Sequence, residues 1–218
     1  FTKFPEEESL DIASRVVVRK GIAYNAAFLN NLYGLFVCVN TRVPVIICGK
    51  PGCSKSLSMQ ILIDSMKGED SENYLFKHLP RVYLTSFQGA KTSTSEGVLN
   101  AFDKARSVLK GNKQDEKIIS LLFFDEMGLA ELSENNPLKV IHAQLEYADN
   151  DRKQIAFIGI SNWTLDASKM NRCVFLAILE PDINNLEMTA LQIAESYKHG
   201  LSKPTENMQL LKNLSRTY

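Results

Sequence analysis

The 218-residue sequence has no excess of charge of either sign and no apolar run long enough to cross a membrane. Lys and Arg together number 25, as do Asp and Glu, so the formal net charge is zero. Without a basic field, we expect no nucleic-acid partner. The longest apolar runs have the length of strands, below the ~20 residues that a transmembrane helix needs. The chain opens on Phe1 with no signal-peptide pattern after it, which predicts a segment of a longer protein.

Cysteine and histidine are also scarce. The four cysteines are Cys38, Cys48, Cys53 and Cys173, and no two of them form a C-x-x-C pair. No histidine lies at zinc-ligand spacing, which argues against a zinc site. Apolar neighbours predict buried thiols at Cys48 and Cys173. Free thiols favour a reducing, intracellular compartment, and we expect the protein to be cytoplasmic.

The sequence does contain a regular alternation of apolar strands with helices. Strands are predicted at five apolar segments: 43–48, 81–86, 118–124, 155–160 and 174–179. Apolar residues at helical spacing predict helices at 22–39, 55–66, 96–105, 137–146 and 184–199. Polar composition predicts a linker or loops at 1–9, 67–79 and 110–117. Continuous apolar strands that alternate with helices are typical of a parallel sheet covered on both faces.

The segment after the first predicted strand is a candidate phosphate-binding loop. Residues 49–56 read GKPGCSKS and differ from the Walker A pattern G-x-x-x-x-G-K-[ST] in having Ser54 for the second Gly. Ser has less backbone freedom than Gly, which bears on affinity rather than on the identity of the loop. Lys55 is expected to reach the β- and γ-phosphates of ATP, and Ser56 to bind Mg²⁺. The predicted nucleotide-binding residues are Gly49, Lys50, Pro51, Gly52, Cys53, Ser54, Lys55, Ser56 and Leu57.

Three further polar signals lie next to predicted strands. The third strand ends in Asp125-Glu126, a Walker B pattern in which Asp125 positions Mg²⁺ and Glu126 is the general base for the attacking water. Asn162 ends the fourth strand and either orients the water or γ-phosphate or is an ordinary turn residue. Arg172 precedes the fifth strand and is either an arginine finger for a neighbouring subunit or a solvated side chain. The predicted catalytic residues are Glu126, Asn162 and Arg172, and the predicted metal ligands are Ser56 and Asp125.

Three other residues are interpreted as structural. Cys53 has no basic neighbour in sequence other than Lys55 to lower its pKa, which argues against a redox switch. His142 is interpreted as a core or surface histidine on a helix face. Trp163 is interpreted as a packing residue rather than as a platform for a nucleotide base.

The region from 43 through the fifth predicted strand resembles the core of the AAA+ ATPases. A strand lies between the P-loop helix and the Asp-Glu strand, a pattern that simple P-loop kinases lack. The resemblance is closer still to AAA+ units of the mysterin family of giant RING-type ubiquitin ligases, which also have Ser before the P-loop Lys. It is carried by GKPGCSKSL at 49–57, FDEMGLAE at 124–131, PLKVIHAQLE at 137–146 and GISNWTLDASKMNR at 159–172.

This resemblance implies an α/β P-loop NTPase fold of AAA+ type, with a parallel five-stranded sheet, helices on both faces and the start of a C-terminal helical lid. It implies ATP and Mg²⁺ as ligands, neighbouring AAA+ units in the same chain or ring as partners, and ubiquitin-system proteins as partners of the whole protein. We accordingly expect a linker and N-terminal helix at 1–21, the large AAA+ subdomain at 22–182, and the beginning of a lid or connector at 183–218.

Three functions are compatible with these signals. The first is Mg-dependent ATP hydrolysis by one motor unit of a mysterin-like ubiquitin ligase. The second is a catalytically silent unit that binds ATP and locks the ring. The third is a stand-alone AAA+ remodeller that acts as a hexamer. The presence of both Lys55 and Glu126 favours the first, because a site that no longer hydrolyses ATP has no chemical need for both.

Overall fold

Five parallel strands form the centre of the computed structural model, which describes residues 6–18, 20–111, 117–146, 155–178, 182–196, 210 and 213. The strands are β1 Val45–Cys48, β2 Arg81–Gln88, β3 Ile118–Asp125, β4 Ala156–Ser161 and β5 Val174–Ala177. They form one sheet in the order β2-β3-β4-β1-β5. The three central strands carry continuous apolar runs, which is typical of strands covered on both faces.

Helices cover both faces of this sheet. They are α1 Glu6–Arg15, α2 Ala26–Thr41, α3 Lys55–Ser65, α4 Tyr74–Lys77, α5 Ser95–Gly111, α6 Met127–Glu131, α7 Ile141–Glu146, α8 Ala167–Met170 and α9 Ile183–Ser196. Val45 and Ile47 pack with α2 and α3 in one core cluster, whereas Ile46 packs with α5 and α6 in the other. Since successive side chains of a strand point to opposite faces, β1 separates two apolar layers. The predicted parallel sheet with helices on both faces is therefore confirmed.

The structure differs from the sequence predictions mainly at element ends. Helix α1 begins at Glu6, inside the stretch predicted as a linker, and its acidic first turn is favoured by the positive end of the helix dipole. Helix α2 begins at Ala26 rather than at residue 22, because the side chain of Asn25 caps it by accepting a hydrogen bond from Phe28 N. Pro137 opens a 3₁₀ turn through Val140, so the α-helical part of the predicted 137–146 helix starts at Ile141.

Short elements were also missing from the sequence prediction. A 3₁₀ turn at Gly68–Asp70 and helix α4 lie within the predicted 67–79 loop. Helix α5 extends to Gly111, and residues 112–116 of the predicted 110–117 loop lie outside the described residues. The ends of the predicted 184–199 helix and of the predicted fifth strand also fall outside them. In the described part of the chain, no helix has the length and apolar character to cross a membrane.

Candidate nucleotide-binding site

The carboxyl ends of β1, β3 and β4 meet at one edge of the sheet. Strand β4 lies between the other two, with Ser161 opposite Cys48 of β1 and Gly159 opposite Phe124 of β3. The residues that follow these strands are therefore brought together, although they are far apart in the sequence. This edge is where open α/β sheets bind their ligands.

The phosphate-binding loop begins directly after β1, where the backbone of its first residue makes close contacts near the ends of other strands. Gly49 N donates to Ser161 O at 3.2 Å, and a Cβ on Gly49 would lie 3.0 Å from the Cβ of Ile178. Gly52 and Ser54 both have left-handed backbone, with φ of 87° and 57°. Helix α3 begins directly after Ser54, and the carbonyl of Ser54 accepts from both the N–H and the hydroxyl of Ser58. The loop thus curls into the start of a helix, as an anion-binding loop does.

Lys55 lies inside this loop with only 6% of its surface exposed. Its ammonium group donates to the carbonyls of Gly49 at 2.5 Å and Lys50 at 2.8 Å. Burial lowers the pKa of Lys55. Nearby negative charges, among them the carboxylates of Glu126 and Asp125, act in the opposite direction and raise this pKa. The acidic pair therefore lies within electrostatic range of the loop lysine.

The acidic pair is held in a fixed geometry at the end of β3. The carboxylate of Asp125 accepts a hydrogen bond from Glu126 N at 2.9 Å, and Glu126 has left-handed backbone with φ of 52°. The side-chain amide of Asn162 donates to both carboxylate oxygens of Glu126, at 3.1 and 3.0 Å. The structure thus joins two of the predicted catalytic residues directly.

Sequence analysis missed a set of glycines that make this geometry possible. Gly89 follows β2, donates its N–H to Asp125 O at 2.8 Å, and approaches so closely that a Cβ would collide with the carbonyl of Glu126. A Cβ on Gly128 would lie 2.6 Å from the indole ring of Trp163, which packs over it as the packing interpretation expects. The available signal was a glycine two or three residues beyond a predicted strand or the Asp-Glu pair.

Arg172 lies away from the other predicted site residues. It is exposed in the turn before β5, where Val174 N donates to Pro44 O at the amino end of β1. The loop containing Lys55 follows the opposite end of β1, about 13 Å away at the usual rise of a four-residue strand. The structure therefore does not bring Arg172 to the site of its own chain.

The remaining predicted binding residues differ in exposure. Cys53 is buried and its carbonyl accepts from the side chain of Asn31, whereas five other residues of the loop and first helical turn are exposed. These are Lys50, Pro51, Gly52, Ser56 and Leu57. In the described ranges, no group of three or more His, Cys, Asp and Glu side chains is arranged to hold a metal ion by itself.

The thiols and His142 complete the set of candidate reactive groups. All four cysteines are free; Cys48 is buried as predicted, but Cys173 is only half-buried. Burial raises the pKa of Cys38 to about 11 and that of Cys173 to about 12, so both are protonated at neutral pH. The Nε2 atom of His142 is buried and has no hydrogen-bond partner among the described residues.

A family model described as the RNF213 AAA domain matches residues 21–185, more than half of the chain. The chain belongs to the RNF213 AAA-domain family. It is 38% identical to the E3 ubiquitin-protein ligase rnf213-beta of Danio rerio over 92% of its length, and 38% identical to the E3 ubiquitin-protein ligase RNF213 of Homo sapiens over 83%. The resemblance to an AAA+ unit of a giant mysterin-like ligase is thus confirmed. The chain spans only 4% of the length of each of these relatives.

Solved structures show the same fold at low sequence identity. A chain of the HORMA:CdnC:Trip13 complex of E. coli MS115-1 has a TM-score of 0.60 and 14% identity, over 98% of this chain and 78% of that one. PCH-2 of C. elegans has a TM-score of 0.57 and 15% identity, over 91% of this chain and 53% of that one. These neighbours confirm the AAA+ P-loop fold. As a member of the RNF213 AAA-domain family, the chain is an AAA+ nucleotide-binding unit.

Proposed function

We propose that this chain binds ATP with Mg²⁺ and hydrolyses it, as one AAA+ motor unit of an RNF213-like ubiquitin ligase. The observation that carries the proposal is the orientation of Glu126 by Asn162, within electrostatic range of Lys55. Loop amides and a lysine are sufficient to hold a nucleotide. An oriented carboxylate beside them is needed for proton transfer from water.

Lys55 and the loop amides supply the phosphate contacts in this proposal. In the structure the ammonium group of Lys55 donates to two neutral carbonyls. Phosphate oxygens are better acceptors for an ammonium group than neutral carbonyl oxygens are, because they carry negative charge. The lysine is therefore positioned to exchange its bonds with the loop for bonds to the β- and γ-phosphates.

Ser56 and Asp125 are the residues that would hold Mg²⁺. Ser56 lies in the first turn of α3 and Asp125 at the end of β3, at the same edge of the sheet. One hydroxyl and one carboxylate fit an ion that takes oxygen ligands and completes its shell with waters and substrate phosphates. When bound, Mg²⁺ neutralises charge on the phosphates.

Glu126 is the proposed general base and Asn162 its positioning partner. The left-handed backbone at Glu126 and the two hydrogen bonds from Asn162 restrict the direction of the carboxylate. The carboxylate accepts a proton from the attacking water as the water oxygen bonds to the γ-phosphorus and the bond from the γ-phosphorus to the β,γ-bridging oxygen breaks, which leaves ADP and inorganic phosphate. Asn162 also has the amide needed to orient this water or the γ-phosphate.

Arg172 is proposed to act on a different unit. Because it lies at the amino end of β5, the γ-phosphate within its reach belongs to a neighbouring AAA+ unit in the same chain or ring. An arginine supplied in this way is worth ~10³-fold or more in rate in other phosphoryl-transfer enzymes. The ligase activity and ubiquitin-system partners of the whole protein are likewise proposals, which rest on the names of its relatives.

A silent unit that binds ATP without hydrolysing it is the second candidate. It is favoured by one observation, that both carboxylate oxygens of Glu126 are engaged by Asn162. In that reading the amide restrains Glu126 from reaching the water. The two candidates predict the same nucleotide affinity and different turnover.

The deciding experiment compares Glu126→Gln with Glu134→Gln, the same change at an exposed position beyond α6. Both are introduced into the intact protein that contains this chain, with any other AAA+ sites silenced. We expect Glu126→Gln to retain nucleotide normally and to slow single-turnover phosphate release by roughly 10²–10⁴-fold, because Gln cannot accept the proton. The control should match the wild type in both measurements.

Two results would overturn the proposal. Normal phosphate release by Glu126→Gln would remove this residue from the mechanism. Nucleotide retention without release by the wild type, even with its neighbouring units present, would establish the silent unit instead.

A further inference from the structure

The phosphate-binding loop carries a conformational cost at Ser54. Its φ of 57° and ψ of 18° lie in the left-handed region, at the position where the Walker A pattern has Gly. A residue with a Cβ is less stable in this conformation than Gly, because the Cβ crowds the adjoining backbone. A loop that keeps Ser here needs a contact that holds it in place.

Asn31 of α2 makes that contact. It is 3% exposed, and its Nδ2 donates to Cys53 O at 3.0 Å in a buried hydrogen bond. Cys53 itself is 3% exposed, so its carbonyl has little access to water as an alternative donor. The bond joins α2 to the loop residue immediately before Ser54.

The planarity of the peptide bond converts this contact into control of a phosphate donor. The carbonyl of Cys53 and the N–H of Ser54 belong to one trans peptide unit, so they point in opposite directions. Asn31 draws the carbonyl toward α2 and thereby turns the N–H of Ser54 away from α2. Backbone N–H groups of such loops are the donors that hold phosphate oxygens.

We infer that Asn31 is a positioning residue for the phosphate-binding loop: it holds Ser54 in left-handed backbone and aims the Ser54 N–H at a nucleotide phosphate. This inference rests on the proposed nucleotide-binding function. An amide at position 31 supplies a neutral donor of the right length. Leu there would leave the carbonyl without a donor, and Asp would place a second oxygen against it.

The test compares Asn31→Leu with Asn40→Leu, which lies on the same helix. Asn40 donates to Phe36 O within α2, so its replacement also removes one side-chain-to-backbone hydrogen bond. With Mg-ADP as the probe, we expect Asn31→Leu to weaken the affinity about tenfold. Asn40→Leu should keep the wild-type affinity. Thermal unfolding of each variant shows that the affinities refer to folded chains.

A rescue separates loop positioning from general packing. Gly adopts left-handed backbone without support, so Ser54→Gly in the Asn31→Leu background should restore the affinity to within about threefold of the wild type. Wild-type affinity in Asn31→Leu, or no recovery in the double variant, would overturn the inference.

Two further measurements keep the result interpretable. If Asn31→Leu does not fold, Asn31→Asp replaces it and should weaken Mg-ADP binding at least as much at neutral pH. Lys55→Ala is measured in parallel. If the wild type does not bind Mg-ADP, or if Lys55→Ala binds it as tightly as the wild type does, the proposed function is wrong. If binding depends on Lys55 but the position-31 variant keeps the wild-type affinity, only this inference is wrong.

Discussion

The phosphate-binding loop and the acidic pair lie at the same edge of the sheet but are built differently. The loop is one continuous segment, and its lysine donates to carbonyls five and six residues away. The acidic pair is positioned by residues at the ends of three strands. Glu126 follows β3, its partner Asn162 follows β4, and Gly89 approaches from the end of β2. Local sequence therefore specifies most of the loop, whereas the orientation of Glu126 depends on the packing of the sheet.

This difference separates binding from turnover. Changes in the loop alter the groups that contact phosphates, so we expect them to appear in nucleotide affinity. Changes around Glu126 alter a group that acts on water, so we expect them to appear in phosphate release. Each prediction below either tests this separation or measures one side of it.

Apart from the Glu126→Gln experiment, the largest expected effect is on binding. Lys55→Ala removes a buried, charge-assisted phosphate contact worth about 1.5–3 kcal/mol, so ATP affinity should fall more than tenfold. Titration with a fluorescent ATP analogue measures this. Lys104→Ala, at an exposed position on α5, is the control and should leave the affinity unchanged. Equal affinity in Lys55→Ala would remove the loop from nucleotide binding.

Gly89→Ala tests whether strand packing sets the acidic pair. The added Cβ collides with the carbonyl of Glu126, so the free energy of unfolding should fall by about 1–3 kcal/mol. Phosphate release should fall by more than nucleotide affinity does. Chemical denaturation and single-turnover release provide the two readouts.

Gly111→Ala is the matched control, since a Cβ there meets nothing within 4 Å. Its free energy of unfolding should stay within about 0.5 kcal/mol of the wild type. Wild-type phosphate release by Gly89→Ala would show that the approach of β2 does not position Glu126.

Asn162→Asp places a second carboxylate against Glu126. An ionised Asp has no N–H to donate to Glu126, and its like charge repels the Glu126 carboxylate, so the proposed base loses its orientation. Single-turnover phosphate release at saturating nucleotide should therefore be slower in this variant than in Asn162→Ala, which removes the amide without adding charge. Equal release rates in the two variants would exclude a charge effect on Glu126.

The smallest effect is the pH dependence of binding through Lys55. Burial lowers the pKa of Lys55 in the free chain, whereas bound phosphates favour the protonated ammonium and raise it. Binding thus takes up protons between these two pKa values, and ADP affinity should decline several-fold as pH rises from neutral through the pKa of the free chain. Lys55→Arg should bind more weakly but without this decline, because its guanidinium stays protonated. A decline of equal size in Lys55→Arg would assign the effect to another group.

The short elements show where sequence periodicity stops being informative. Helices α6 and α8 have five and four residues, too few for an apolar repeat to be recognised. An N-terminal helix was expected within 1–21, but the start of α1 was placed in a linker because its first turn is acidic; three of its residues, Ser9, Ile12 and Ala13, are nevertheless buried. Pro137 was correctly placed at a helical start, but the turn that it opens is 3₁₀.

The sequence by itself determined the parallel sheet, the phosphate-binding loop and the residue types of the candidate site. Apolar runs specify strands through burial, and a loop such as 49–56 is recognisable because its residues act within a few positions of one another. Only the tertiary structure decided that Asn162 meets Glu126, that Gly89 must lack a side chain, that Asn31 donates to the carbonyl of Cys53, and that Arg172 lies at the opposite, amino-terminal edge of the sheet. These relations join residues from separate elements, and their distances follow from strand order and packing rather than from spacing along the chain.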